Sequence, residues 1–305
     1  MLNRWILSLL GQNSFEDLKK ALKDNDLIGL NNEGQTLFFE ALKDVFSKKI
    51  SEEDFRRYDL NIVKHWQTIT EKRNQASGHQ LQMKYFQYLS LLFTEIYLDW
   101  FVHRTEAMLA GLNQTLASYK QENDHLDLSD YQAEDLNKIA FWNATGSGKT
   151  LLMHVNILQY QHYCPNKIDQ IILLTPNEGL SHQHLQELAQ SNFSAALFDK
   201  NKSPNQGELY EAIQVIDINK LADKHGDKTV AVESFSGSNL VLVDEGHRGT
   251  SGDAWLKRRE QLIGNGFAFE YSATFGQAVS KGKTVKEQIT EWQKKQAGIL
   301  FGKKV

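Results

Sequence analysis

The rhythm of hydrophobic and polar positions changes near the middle of this chain. Through about the first 120 residues, apolar side chains recur every three or four positions, the spacing of one helix face. Phe15, Leu18 and Leu22 form one such stripe, with Ser14 as its cap and Glu16 and Asp17 in the first turn. Phe38, Leu42, Val45 and Phe46 form another behind Thr36, and Ser51-Glu52-Glu53-Asp54 opens a third helical stretch. Trp5 to Leu10, after Arg4, reads as the start of a helix. From Leu81 to Phe101 the chain is apolar nearly all round, broken by Lys84, Gln87, Glu95 and Asp99, which predicts a helix at the centre of a core. Its aromatics sit at helix spacing among Leu and Ile and are read as packing, not as a base-stacking surface. Leu109, Leu112, Leu116 and Tyr119 give the next helix its stripe.

A polar, acidic segment from Gln121 to Asp130 follows, and beyond it the pattern is different. Short continuous apolar runs appear at Ile139–Trp142, Ile171–Leu174, Phe193–Phe198, Ile213–Ile216, Leu240–Val243 and Phe267–Phe269. Helical spacing returns between them, over Leu151–Leu158 and Leu180–Leu188. Buried strands alternating with helices predict an α/β fold with a parallel sheet, preceded by an all-α region. The expected division is a helical domain at 1–125, an α/β domain at 126–280, and a lysine-rich helical tail at 281–305.

Length and charge narrow the picture. The chain has 305 residues, enough for about two domains. Its net charge of −4 excludes a globally basic nucleic-acid binder, so any contact with DNA must come from local patches. The single cysteine, Cys164, leaves no internal disulfide and fits a cytoplasmic location. No apolar span approaches the ~18 residues that cross a bilayer, so no membrane partner is expected.

The candidate chemistry centres on Ala144-Thr145-Gly146-Ser147-Gly148-Lys149-Thr150. An apolar run leads into this loop and a helical stretch leaves it. Glycines let backbone N–H groups close around phosphate oxygens, and a helix N-terminus adds partial positive charge. Lys149 is expected to reach the β- and γ-phosphates of ATP, and the Thr150 hydroxyl to ligate Mg2+. The strict pattern has glycine where this chain has Asn143. Downstream, Thr175-Pro176, Asp244-Glu245 and Ser272-Ala273-Thr274 each close an apolar run, at the strand ends where ligands of such sheets bind. Two other groups are read more plainly. His182 and His184, flanking Gln183, and His162, near Cys164, lack the cysteine pairs of a zinc site and are taken as solvent-facing. Lys257-Arg258-Arg259 is either a solvated helix face or a contact to a phosphate backbone.

In that order, the phosphate loop, Thr175-Pro176, Asp244-Glu245-Gly246-His247 and Ser272-Ala273-Thr274 resemble motifs I, Ia, II and III of a superfamily 2 DEAD/DEAH-box helicase motor. The wording around Asp-Glu-x-His is most similar to the Res subunits of type III restriction enzymes. The resemblance covers about residues 138 to 275 and implies the first RecA-like P-loop NTPase domain of such a motor. By resemblance, Asp244 would hold Mg2+ and Glu245 would activate the attacking water. His247 would couple to Ser272 and Thr274, while Thr175 and Pro176 would meet a nucleic-acid phosphate. Gln132, after Tyr131, is similar to the glutamine that reads adenine in this superfamily.

The family's motor places ATP between two RecA-like domains, the second supplying an arginine to the transferring phosphoryl group. No second series of strands and helices follows the Ser-Ala-Thr stretch in this chain. The sequence therefore implies an ATP-dependent DNA helicase or translocase, cut before its second RecA-like domain. The partners would be DNA, a second RecA-like domain or subunit, and a methyltransferase subunit of the restriction type. The rival is a nucleotide-binding module with little or no turnover. A transporter-type P-loop ATPase is disfavoured by Asp244-Glu245-Gly246-His247.

Overall fold

A computed structural model describes residues 1–23, 27–44, 49–123, 128–165, 168–199, 212–222, 230–235, 237–245 and 253–273. The helical region comprises α1 (Leu2–Leu9), α2 (Phe15–Leu22), α3 (Leu37–Leu42), α4 (Glu52–Ser77), α5 (Tyr85–His103) and α6 (Thr105–Glu122). The caps expected from sequence are in place. Ser14, Thr36 and Ser51 each accept a hydrogen bond from the backbone N–H three residues on, at 3.3, 3.0 and 3.0 Å. α4 stops at Gly78, whose φ of 71° ends the helix as few other residues could. α5 is the central helix its composition predicts, with every residue from Gln87 to Asp99 buried. Val45 and Phe46, expected on the same helix as Phe38, lie outside the described residues. So do residues 124–127, around the expected domain boundary, and the 281–305 tail.

The second region runs β1 (Lys138–Trp142), α7 (Lys149–Tyr163), β2 (Gln170–Thr175), α8 (Glu178–Gln190), β3 (Ala195–Leu197) and β4 (Ile213–Asp217). It continues with the short pair β5 (Leu221–Ala222) and β6 (Val230–Ala231), then β7 (Asn239–Asp244), α9 (Asp253–Ile263) and β8 (Phe267–Ser272). Six strands form one sheet in the order β1-β8-β7-β2-β4-β3. Every neighbouring pair in it is parallel, so all six carboxyl ends share one edge.

The strand alternation explains the unbroken apolar runs. Leu240 and Leu242 join one buried cluster, while Val241 and Val243 join another on the opposite face. Both faces are covered, so neither parity of position is polar. The larger cluster is continuous from Phe267 and Phe269, through Tyr160 and Val155 of α7, to Phe93 and Tyr97 of α5. α7 therefore lies between the sheet and α4–α5, and the helical region forms a third layer over it.

A polar seam crosses this layer. Glu95 of α5 accepts hydrogen bonds from Gln159 Nε2 and Tyr163 Oη, each at 2.7 Å, and from Asn61 Nδ2 at 3.3 Å. Asn156 Nδ2 donates to Gln159 Oε1 at 2.7 Å, and Tyr271 Oη of β8 donates to Asn156 Oδ1 at 2.6 Å. Burial pushes the Glu95 carboxyl up from 4.5 to about 7. The folded chain thus holds a proton that the unfolded chain releases between those values. Stability from this group is complete below the unfolded value and is lost as pH rises through the folded one, by ~3 kcal/mol at most. Glu95→Gln is expected to flatten the fall in urea midpoint between about pH 5 and about pH 8. An unchanged pH slope in the variant would show that Glu95 is ionised in the folded chain throughout.

Candidate nucleotide site

The phosphate loop leaves β1 at the shared carboxyl edge and turns into α7. Asn143 is only 4% exposed, and its N–H donates to Ser272 O at 3.0 Å, extending the pairing of β1 with β8. Its φ is not positive, unlike those of Gly146 (77°) and Gly148 (83°). Asparagine is therefore accommodated at 143, whereas the two downstream positions hold the left-handed backbone that favours glycine. Gly148 is also close-packed: an added Cβ would stand 2.5 Å from Gln87 Nε2.

The other strand ends bring three acidic or hydroxyl groups to the same edge. Lys149, the first residue of α7, pairs with Glu245 Oε1 at 2.5 Å. Ser272 Oγ donates to Glu245 Oε2 at 3.4 Å. Glu245 has a φ of 52°, a conformation that costs a non-glycine residue energy and tends to cluster at functional sites. Asp244, the last residue of β7, sits beside Tyr271 in register, one strand from the loop's own neighbour. Asp244 accepts a 3.0 Å hydrogen bond from His184 of α8.

The residues present fit a nucleotide and its metal. The loop offers two left-handed glycines, the open end of α7 and the Ser147 hydroxyl, which is buried with no hydrogen-bond partner among the described residues. Thr150 and Asp244 are hard oxygen donors suited to Mg2+, which usually takes one or two carboxylates and completes its shell with phosphates and water. No group of three or more His, Cys, Asp or Glu side chains able to hold a metal occurs among the described residues. Ala144 and Thr145 are exposed at the loop tip.

Other expected residues lie elsewhere or are differently engaged. Gln132 precedes a 3-10 turn at Ala133–Leu136 that it caps, at the amino end of β1. The loop leaves the opposite end of that strand, about 16 Å away at ~3.3 Å per residue, so the structure does not bring Gln132 to it. Thr175 is 1% exposed, and its hydroxyl lies 2.6 Å from Ser181 Oγ, inside the α8 turn; Pro176 beside it is half-buried. His247 and Thr274 lie outside the described residues. Two plainer readings need correction. His182 and His162 are exposed as expected, but His184 is 5% exposed and faces Asp244. In the basic cluster Lys257 is exposed, yet Arg259 is buried and paired with Glu270 of β8, so its charge serves the core.

One contact at the loop was missed altogether. Gln87, in the first turn of α5, donates from Nε2 to Ser147 O at 3.0 Å, while its Oε1 accepts from Lys84 N at 2.9 Å. The glutamine that touches the loop thus comes from the helical region. Its polar interruption of the Leu81–Phe101 run was the signal in the sequence.

A six-stranded parallel sheet with a loop of this kind defines a RecA-like P-loop domain preceded by helices. The family model of the type III restriction enzyme, res subunit, matches residues 103–277, more than half of the chain, and the chain belongs to that family. Its α/β region is the first RecA-like domain of a superfamily 2 helicase-type motor. No curated protein matches the chain. Among solved structures, it is similar to the UvsW helicase from bacteriophage T4 (19% identity, 55% of this chain and 56% of that one, TM-score 0.37). It is also similar to the Sulfolobus solfataricus SWI2/SNF2 ATPase core domain (14% identity, 54% and 39%, TM-score 0.40). The Pyrococcus furiosus Hef helicase domain is a third (14% identity, 62% and 39%, TM-score 0.37). The match thus spans about half the length of the first of these chains and less of the other two.

Proposed function

We propose that this chain carries the ATP-binding and water-activating half of a DNA helicase or translocase motor of the restriction type. The observation that carries the reading is the convergence of Lys149, Glu245 and Ser272 beside a left-handed glycine loop. In this proposal ATP phosphates take the loop amides and Lys149, replacing Glu245 as the partner of its ammonium. Mg2+ supplies charge to the phosphates when bound, held by Thr150 and Asp244. Glu245, released from Lys149, accepts a proton from the attacking water. Turnover then needs an arginine facing the same strand edge, from a second RecA-like domain on this or another polypeptide. DNA, and a methyltransferase subunit, are the partners that a restriction motor would have.

The rival reading, a nucleotide-binding module without turnover, is favoured by the Lys149–Glu245 pair itself. That pair occupies both the phosphate-binding cation and the base. The two are separated by measuring binding of a fluorescent ATP analogue with Mg2+, then phosphate release with and without DNA. Both should be repeated with the second RecA-like domain of a family member added. Binding with DNA-stimulated release supports the motor. Binding without release under every condition supports the module, and no binding removes both.

A further inference from the structure

We infer that His184 is the positioning residue for the Asp244 carboxylate, and that through it α8 sets how tightly the site holds its metal. This rests on the reading of Asp244 as the Mg2+ carboxylate. His184 lies on α8, which begins at Glu178, directly after the Thr175-Pro176 strand end. Asn177 caps that helix, accepting from Leu180 N at 3.0 Å, and the Thr175 hydroxyl at the end of β2 lies 2.6 Å from Ser181 Oγ in its first turn, which ties the helix start to β2. β2 is the neighbour of β7 in the sheet, α8 packs on β2, β3 and β4, and the His184 ring reaches the end of β7. The ring is nearly enclosed, with its side chain 6% exposed and that of Asp244 13% exposed.

The hydrogen-bond inventory makes the pairing specific. With the carboxylate oxygen as acceptor, Nε2 is the donor to Asp244 Oδ2 at 3.0 Å. Nδ1 is buried with no partner among the described residues. The bond to Asp244 is therefore the polar contact that justifies a ring nitrogen in this position, where a leucine would pack without an orphaned atom. From the other side, His184 is the one side chain among the described residues that hydrogen-bonds Asp244. A carboxylate with one anchored oxygen keeps a single orientation and presents the other to a metal's water shell. Hydrogen bonds of this outer kind typically change metal affinity by 10–100-fold when removed. The consequence for the motor is direct. The helix that starts beside Thr175 is tied to the metal carboxylate by one bond, so a shift of α8 changes the metal's grip without passing through His247.

The test uses the full chain, with Mn2+ as the metal probe and a non-hydrolysable ATP analogue. Free Mn2+ is read by its electron paramagnetic resonance signal, and nucleotide affinity in EDTA is read separately by fluorescence. His184→Phe should weaken Mn2+ binding about tenfold while leaving metal-free nucleotide affinity within about twofold. His184→Gln, which retains a donor, should recover part of the loss. If His184→Phe does not fold by circular dichroism, His184→Ala is read instead, with imidazole added to refill the space, and restoration of Mn2+ affinity supports the assignment. Mn2+ affinity unchanged in a folded variant overturns it. A loss that neither glutamine nor imidazole restores marks a packing role and also overturns it. A wild-type chain that binds neither Mn2+ nor nucleotide refutes the motor reading itself, whereas wild-type binding with unaltered variants refutes the His184 assignment alone.

Discussion

Glu245→Gln is expected to bind ATP about as well as the wild-type chain and to hydrolyse it roughly a thousandfold more slowly, the middle of the range for a lost general base. The substitution keeps the side chain's length and its hydrogen bond from Ser272 while removing the charge and the basic oxygen. It also removes the ionic competitor for Lys149, so ground-state affinity should hold or rise. The loss belongs to the transition state and shows in the rate, not in binding. Single-turnover phosphate release, measured with DNA and an added second RecA-like domain, gives the rate, and titration of a fluorescent analogue gives the affinity. A variant that loses binding as badly as a Lys149 variant, with its circular dichroism intact, would remove Glu245 from water activation.

Lys149→Ala has the second large effect, in the opposite compartment of the mechanism. Its ammonium is the one charge at the mouth of α7 that the loop can offer a γ-phosphate. A charge-assisted hydrogen bond of this kind contributes ~1.5–3 kcal/mol, so nucleotide affinity should fall by about a hundredfold. The fold should survive, because the partner left behind, Glu245, is half-buried and can recruit water. Anisotropy of the fluorescent analogue measures the fall. Affinity within about threefold of the wild-type value would mean that the loop does not cradle phosphate through this residue.

How much was legible in the sequence follows from what each residue depends on. Gly146, Gly148 and Lys149 could be placed because a loop between a strand and a helix is a local arrangement. Asp244 and Ser272 could be placed because each closes an apolar run, and in a parallel sheet every such end lies on one edge. His184 could not be placed. Its direction depends on how α8 packs on β2, β3 and β4, and its partner is 60 positions further along the chain. Gln87 and Ser147 are likewise 60 positions apart and meet through the docking of α5 on α7, which periodicity does not encode. Arg259 read as surface because three basic residues in a row are usually solvated, yet Glu270 of β8 gives it a buried counter-charge. Gln132 caps the 3-10 turn beside it because that turn and β1 follow without an intervening helix that would carry it to the loop.

The burial of α7 has a mechanical meaning. Leu152 through Ile157, Gln159, Tyr160 and Tyr163 are enclosed by the sheet on one side and by α4 and α5 on the other. Interiors packed to this density compress little. The helix behind the phosphate loop is thus clamped in a vice, with little room to recoil from a load on its tip. Outside that clamp lie the exposed loop tip at Ala144 and Thr145 and the half-buried Glu245, at the outer rim of the strand edge. In the proposed motor that rim is where a facing domain would press, so the rigid back of the site would stand opposite its working front.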